Sequence, residues 1–189
     1  PLPDGANTLD VTGLEDGSFN NWSIINSGAG VTVEDAEGVT GDRKVIQLIS
    51  SGSSSNPGDL QLSSPEMVIN SDHTYRLVFL VKSNIAGRGS LSFSGLLDNN
   101  PDKDWYNSGD GSTESFETSS EWQFVDIEIS GFTGSNFTTF FDFGYLPDVT
   151  YYIDVNSVIL VDMDAPSGVV NLISNGGFET NLDGWARWN

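Results

Sequence analysis

Two adjacent aromatic residues, Trp105 and Tyr106, lie in a long polar stretch with little regular patterning. A pyranose ring has apolar C–H faces and a rim of hydroxyls, so a protein binds it with exposed aromatic faces and with amides or carboxylates. Leaving two large aromatic side chains exposed in a polar loop is unfavourable unless they contact a ligand. The pair is therefore predicted to stack on sugar rings; the alternative is that one ring plugs the edge of the core.

A second candidate is the segment from Thr138 to Tyr145, which alternates as a strand does. One face combines an aromatic ring, a carboxylate and a small hydroxyl, which suits the floor of a binding groove: Thr138, Phe140 and Asp142. The other face is apolar and is predicted to be core: Phe141, Phe143 and Tyr145. An ordinary solvated sheet face is the alternative for the first set.

A third candidate, residues 56–61, places Asp59 and Gln61 on the face opposite Leu60. With Asn56 and Asp142, these side chains are predicted to donate and accept hydrogen bonds at the equatorial hydroxyls of a sugar chain. Short side chains such as Ser92 and Ser94 would keep the floor of such a groove shallow.

Catalytic chemistry has little support in the sequence. The single histidine, His73, lies in a polar turn, and no Gly-x-Ser-x-Gly elbow surrounds any serine, so a serine hydrolase triad is not indicated. No glycine-rich phosphate loop or dinucleotide fingerprint is present. Acidic residues are abundant, but none is marked as one of a catalytic pair. No catalytic residue is predicted.

The composition limits the possible partners. The chain of 189 residues has 27 acidic and 7 basic side chains, a net charge of −20, and no cysteine. Such a field repels phosphate backbones and anionic membrane surfaces, whereas neutral polysaccharides and calcium remain compatible with it. No apolar run approaches the roughly 20 residues of a membrane helix. Neither nucleic acid binding nor membrane insertion is predicted.

The elements that must position these residues are strands. Runs rich in Val, Ile, Phe, Tyr and Thr alternate with Gly, Asn, Asp and Ser turns, and helical periodicity is almost absent. An all-β fold is predicted, a β-sandwich jelly roll of two antiparallel sheets, with an immunoglobulin-like sandwich as the alternative. Residues 75–81 are apolar on both faces and are predicted to be a central strand. The predicted strands lie near residues 8–12, 30–34, 44–50, 59–63, 66–69, 74–83, 89–96, 121–130, 137–145 and 151–162.

A pattern near the start of the chain recurs near its end. Residues 13–15 (Gly-Leu-Glu) precede Trp22, and residues 177–179 (Gly-Phe-Glu) precede Trp185. A repeat at about one domain length indicates tandem modules; the alternative is coincidence between two glycine-rich stretches. The predicted organisation is one module, a linker and the truncated start of a second module: residues 1–164, 165–170 and 171–189.

Taken in order, these segments resemble the carbohydrate-binding modules of families 4, 9 and 22, and above all the xylan-binding modules attached to family 10 xylanases. The resemblance spans residues 8–162 and is carried by the repeated Gly-x-Glu motif and by residues 41–45, 56–61, 121–123, 143–145 and 152–154. It implies a β-jelly roll whose cleft binds internal stretches of single polysaccharide chains. It also implies an extracellular or cell-surface location, an attached xylanase and a sister module.

The resemblance further implies which residues bind. The cleft would use aromatic and polar side chains from four segments: Asn56, Asp59, Gln61, Trp105, Tyr106, Thr138, Phe140 and Asp142. Xylan binders usually have an aromatic just after Asn-Pro, where this chain has Gly58, so stacking is expected to rest on Trp105 and Tyr106. The family also carries a structural calcium, whose ligands here would be Glu15, the Lys44 carbonyl and Asp154, completed by Asp42 or Glu37. The alternative for Asp154 is that it only ends a strand.

The sequence therefore predicts a non-catalytic module that binds xylan and directs an attached endo-1,4-β-xylanase to its substrate. β-Glucan or cellulose chains are alternative ligands, because a single hydroxymethyl group distinguishes their sugars from xylose. Two other classes remain open: a small sandwich-fold glycosidase or lyase, and a structural or adhesive surface domain without a glycan site.

Overall fold

The computed structural model describes residues 9–15, 17–26, 30–34, 44–93, 115–132 and 134–165. Within these ranges no helix is long and apolar enough to cross a membrane. Two single-turn 3-10 helices, Pro57–Asp59 and Val155–Ser157, interrupt the strands. The other regular elements are α1 (Thr12–Glu15), β1 (Ser23–Asn26), β2 (Val31–Glu34), β3 (Val45–Ile49), β4 (Leu60–Ser63), β5 (Met67–Val68), β6 (Tyr75–Ser83), β7 (Gly87–Phe93), β8 (Ser115–Thr118), β9 (Gln123–Ile129), β10 (Asn136–Phe137), β11 (Thr139–Asp142), β12 (Thr150–Asp154) and β13 (Ile159–Asp162).

The strands form two main antiparallel sheets, which confirms the predicted all-β sandwich. Sheet I has five strands in the order β1-β4-β11-β7-β8. Sheet II has the order β13-β6-β12-β3-β2, and β9 pairs with β6 as its sixth strand. β10 and β5 form a small separate ribbon. The predicted central strand is confirmed, since β6 pairs with β9, β12 and β13.

The core lies between the two sheets and is rich in aromatic rings. Phe79 of sheet II packs edge-on against Phe141 of sheet I, with ring centroids 5.3 Å apart. Phe143 and Tyr151 make a second contact between the sheets at 4.7 Å. All four rings are almost fully buried, and each such side chain stabilises the fold by about 1.5–3 kcal/mol through the hydrophobic effect.

The strand predicted at residues 8–12 is wrong. The chain instead makes the short helix α1, in which the Val11 carbonyl accepts hydrogen bonds from the N–H groups of Leu14 and Glu15. Leu14 and Trp22 are buried in the core, and a Cβ on Gly13 would lie 2.5 Å from the Asn20 carbonyl oxygen. The Gly-Leu-Glu and Trp pattern is therefore a compact turn that packs into the core. Its proposed second copy, residues 171–189, lies outside the described residues.

Two long predicted strands are each broken in two. Residues 137–145 contain β10 and β11 and then turn away, and residues 151–162 contain β12, a 3-10 turn and β13. Two short strands, β1 and β8, were not predicted, and both form edges of sheet I. β1 (Ser-Ile-Ile-Asn) has two adjacent apolar residues and β8 (Ser-Phe-Glu-Thr) has one, so neither shows the apolar alternation of a half-buried strand.

Candidate functional site

The centre of sheet I presents alternating rows to the core and to the outside. Phe141 of β11 lies opposite Leu62 of β4 and Leu91 of β7, and all three side chains are buried in the core. Because successive side chains point to opposite faces, the next row, in which Asp142 lies opposite Gln61, is directed away from the core. We call this outward surface the sheet I face; it is formed by Gln61, Ser63, Arg88, Ser90, Ser92, Phe140 and Asp142.

Asp142 is the centre of a hydrogen-bond network on the sheet I face. Gln61 Nε2 donates to Asp142 Oδ1 at 2.7 Å, and Ser92 Oγ donates to Oδ2 at 2.7 Å. The side chain is only 4% exposed, and this burial raises the pKa of the Asp142 carboxyl, although both hydrogen bonds lower it. With both oxygens bound to neighbouring side chains, the Asp142 carboxyl fixes the positions of Gln61 and Ser92 on the sheet I face.

Phe140 supplies the aromatic surface beside this network. It is half-buried, and its cross-strand neighbours are Ser63 of β4 and Ser92 of β7. Both of these direct neighbours have small side chains. The structure thus brings together Gln61, Phe140 and Asp142 as the sequence grouped them, an apolar ring next to hydrogen-bonding groups.

Tyr145 was predicted to be core, and this is wrong. The chain leaves β11 after Asp142 and turns, so the strand alternation no longer applies to Tyr145. The ring is half-buried, its hydroxyl donates to Ser90 Oγ at 2.8 Å, and the Arg88 guanidinium carbon lies 4.6 Å from the ring centroid. Sequence reasoning therefore missed Tyr145, Ser90 and Arg88; the polar alternation of β7 was the only signal for the last two.

The Asp59 side chain stabilises the turn in which it lies. Its Oδ2 accepts hydrogen bonds from the N–H groups of Ser55 and Asn56 at 2.9 and 3.0 Å, and these two bonds lower the pKa of the Asp59 carboxyl. The turn is also fixed to the end of β11, because the Gly144 N–H donates to the Pro57 carbonyl at 2.9 Å. The Asn56 side chain is exposed at this turn.

The structure shows less about the other predicted ligand-binding residues. Thr138 is half-buried and directly precedes β11. Trp105, Tyr106 and Ser94 lie outside the described residues, in the segment of chain that joins β7 to β8. Both of these strands belong to sheet I, which also contains β11 with Phe140.

The predicted calcium ligands can be compared with the structure only in part, since Glu37 and Asp42 lie outside the described residues. α1, which contains Glu15, packs against the 3-10 turn that follows Asp154. The Lys44 carbonyl accepts a hydrogen bond from Val155 N–H at 3.1 Å, and the Asp154 side chain is completely buried. Carboxylate and carbonyl oxygens are the kind of ligand that calcium binds. The described residues contain no group of three acidic, histidine or cysteine side chains that would hold a metal ion.

His73 has a structural partner. Its Nδ1 lies 2.8 Å from Asp162 Oδ2, at the end of β13, and its Nε2 lies 2.8 Å from Asn70 Nδ2. The imidazole thereby joins the turn before β6 to the end of the last described strand. Both of its nitrogens are engaged by neighbouring side chains rather than by a serine hydroxyl.

The network around Asp142 predicts a definite pH dependence. Because the folded pKa is raised, this group contributes its full stability below its ordinary value of 3.8 and loses it as pH rises through the folded pKa. Asp142→Asn is uncharged throughout, so we expect it to gain stability relative to the parent protein as pH rises from about 4 to 7. Denaturant unfolding at both pH values measures the difference.

Asp59→Asn is the matched control, because the pKa of Asp59 is shifted in the opposite direction. Asp59 contributes stability above its ordinary pKa and loses it as pH falls through the folded pKa. The control should therefore lose stability relative to the parent protein as pH rises toward 3.8, and change little between about pH 4 and 7. The same pH trend in both variants would contradict the assignment.

Comparison with known proteins identifies solved structures with a similar fold. Neither a family model nor a curated protein sequence matches the chain. Among solved structures, the CBM22-1 xylan-binding domain of Paenibacillus barcinonensis Xyn10C matches with a TM-score of 0.58 and 14% identity, covering 88% of this chain and all of that one (100%). A family 4 carbohydrate-binding module (CBM4) matches with a TM-score of 0.50 and 17% identity, covering 75% of this chain and 86% of that one.

A third solved structure, TmCBM61 in complex with β-1,4-galactotriose, matches with a TM-score of 0.52 and 17% identity, covering 84% of this chain and 99% of that one. The chain therefore has the fold of carbohydrate-binding modules. The resemblance inferred from the sequence is confirmed at the level of the fold.

Proposed function

We propose that this chain is a non-catalytic module that binds single polysaccharide chains, xylan first, and holds an attached xylanase on its substrate. The observation that carries the proposal is the sheet I face, where the half-buried Phe140 ring adjoins the hydrogen-bonded Gln61, Asp142 and Ser92. A pyranose chain requires such a combination, a surface for its apolar faces and acceptors for its hydroxyls. The similar domain of Xyn10C is a xylan-binding domain, which supports xylan as the ligand.

Binding rather than hydrolysis is favoured by the environment of Asp142. Glycoside hydrolysis uses two carboxyl groups in different protonation roles, one on each side of the scissile bond. Asp142 instead has both of its oxygens bound to neighbouring side chains, the Gln61 amide and the Ser92 hydroxyl, so it serves a hydrogen-bond network of the sheet. We expect affinity of about 10–100 µM, or roughly 5.5–7 kcal/mol, which tethering to an enzyme and a sister module would reinforce.

The proposal includes stacking by Trp105 and Tyr106. We expect Trp105→Ala or Tyr106→Ala to abolish retention on xylan in an affinity gel while the thermal unfolding temperature persists, because each variant loses a stacking surface. Unchanged retention in both variants would remove these residues from the site. Calorimetric titration with xylohexaose and cellohexaose ranks xylan against β-glucan, and release of reducing sugar from either polysaccharide would identify a glycosidase instead.

We further propose that Glu15, the Lys44 carbonyl and Asp154, with Asp42 or Glu37, hold a structural calcium. A ligand that binds only the folded state stabilises it by about 2.7 kcal/mol at 100 times its dissociation constant, which raises the unfolding temperature by roughly 5–10 °C. Calorimetric scans with calcium and with EDTA measure this increment. Asp154→Asn, which keeps a side-chain oxygen for the Asn156 N–H, should unfold at the same temperature in both conditions.

A further inference from the structure

The outer face of sheet II carries a continuous row of polar and aromatic side chains. In the strand register, Thr32 lies opposite Gln47, Gln47 opposite Tyr152, and Tyr152 opposite Lys82. Trp122 immediately precedes β9, whose pairing of Gln123 with Val81 continues to Trp122 beside Lys82. We call these residues the sheet II row: Thr32, Gln47, Tyr152, Lys82 and Trp122.

The row points away from the core. The residues that alternate with it along three strands, Ile46, Ile153 and Val81, are buried between the sheets. Trp122 and Tyr152 are half-buried and are not members of the core cluster. Burial in the core therefore does not account for either ring.

Lys82 holds both rings in place. Its Nζ lies 4.9 Å from the Trp122 ring centroid and 5.5 Å from that of Tyr152. One ammonium group between two rings makes two cation–π contacts, each worth about 0.5–1 kcal/mol at an exposed site. The rings are thus pre-positioned, so a ligand would lose little side-chain entropy when it orders them.

The arrangement matches an extended sugar chain. Trp122 and Tyr152 flank one intervening strand, so their backbones are about 9–10 Å apart, two strand spacings of the sheet. Gln47 and Thr32, linked by a 3.0 Å hydrogen bond, extend the row with amide and hydroxyl groups. Phe124, 48% exposed on the same face of β9, widens the apolar surface. Two aromatic platforms in line with hydrogen-bonding groups suit consecutive pyranose rings better than a compact ligand.

We propose that the sheet II row is a second carbohydrate-binding surface, separate from the sheet I face, for a neutral polysaccharide chain lying across the strands. The net charge of −20 disfavours nucleic acid and anionic membranes as occupants of this surface. Two binding surfaces on opposite sheets let one module contact two polysaccharide chains at once. Retention on insoluble polysaccharide then gains from avidity without either surface binding tightly.

Nuclear magnetic resonance with the full chain tests the proposal. In a Phe140→Ala background, which removes the sheet I aromatic, the indole N–H resonance of Trp122 is followed during titration with xylohexaose and with cellohexaose; Trp122→Phe assigns the resonance. We expect saturable shifts with at least one hexaose and, by calorimetric titration in the same background, at least a tenfold loss of affinity in Trp122→Ala and in Tyr152→Ala. Ile85→Ala, which removes an exposed apolar side chain outside the row, is the matched control and should bind normally.

The outcomes separate this proposal from the proposed function. An indole resonance that neither hexaose shifts, in chains whose unfolding temperature is unchanged, overturns the second surface and leaves the sheet I face untouched. Loss of all binding in Trp122→Ala but not in Phe140→Ala supports the second surface and overturns the sheet I assignment. A shift that follows protein concentration without sugar, with dimers in sedimentation velocity, overturns the proposal by showing that a second copy covers the row.

Discussion

Phe141→Ala is expected to lower the free energy of unfolding by about 3–5 kcal/mol, whereas Phe140→Ala leaves it within about 1 kcal/mol and weakens glycan binding about tenfold or more. The two residues are neighbours in β11 and face opposite sides of sheet I. Phe141 is buried against Phe79, and truncating it leaves a cavity between the sheets. Phe140 is half-buried beside two serines, so its removal deletes the exposed ring surface and leaves no cavity between the sheets.

Denaturant unfolding and titration with xylohexaose, applied to both variants, check this contrast. Each variant is the control for the other, because both remove the same side chain from the same strand. The proposed function predicts a change in stability for one and a change in affinity for the other. Normal affinity in Phe140→Ala would show that the sheet I face does not stack on the ligand.

Gly144→Ala is expected to cost about 3 kcal/mol, the upper end of the range for overpacking, and to weaken glycan binding as well. A Cβ at this position would collide with the Asn56 carbonyl oxygen and lie 2.8 Å from the backbone nitrogen of Asp59. These are backbone atoms, which cannot move aside as a flexible side chain does. The turn would have to shift away from β11, and with it the start of β4, where Gln61 reaches Asp142.

Gly58→Ala is the matched control, because it adds the same methyl group within the turn that Gly144 approaches. The nearest atom to its Cβ would be Gln61 Nε2 at 3.9 Å, an ordinary van der Waals contact. We expect this variant to unfold within about 0.5 kcal/mol of the parent protein, as surface substitutions usually do. Equal losses of stability in the two variants would contradict the close approach of Gly144 to the turn.

Much of the candidate site was predictable because it follows strand alternation. The period of two in β11 separated Phe140 and Asp142 from Phe141, and the same period in β4 separated Gln61 from Leu62. Alternation is a local property of the backbone, so a single sequence contains it. The prediction that Tyr145 is core failed because that periodicity was extended past the end of the strand.

The chain turns at residues 144–148, and no local sequence pattern indicated that the strand ends before Tyr145. The contacts of Asp59 also could not be predicted from local alternation. Its side chain was read from strand alternation, but its carboxylate accepts hydrogen bonds from backbone N–H groups within its own turn.

The sequence alone determined that this protein is a sandwich of antiparallel strands with no marked catalytic group, because strand period, turn residues and composition are all local properties. The tertiary structure decided which distant residues meet: Ser92 and Asp142, 50 positions apart, Gly144 and the turn at Pro57, and Lys82 with its two rings. These contacts depend on strand order and register across the sheets. Both are set by the packing of the whole core, so no segment of the chain encodes them by itself.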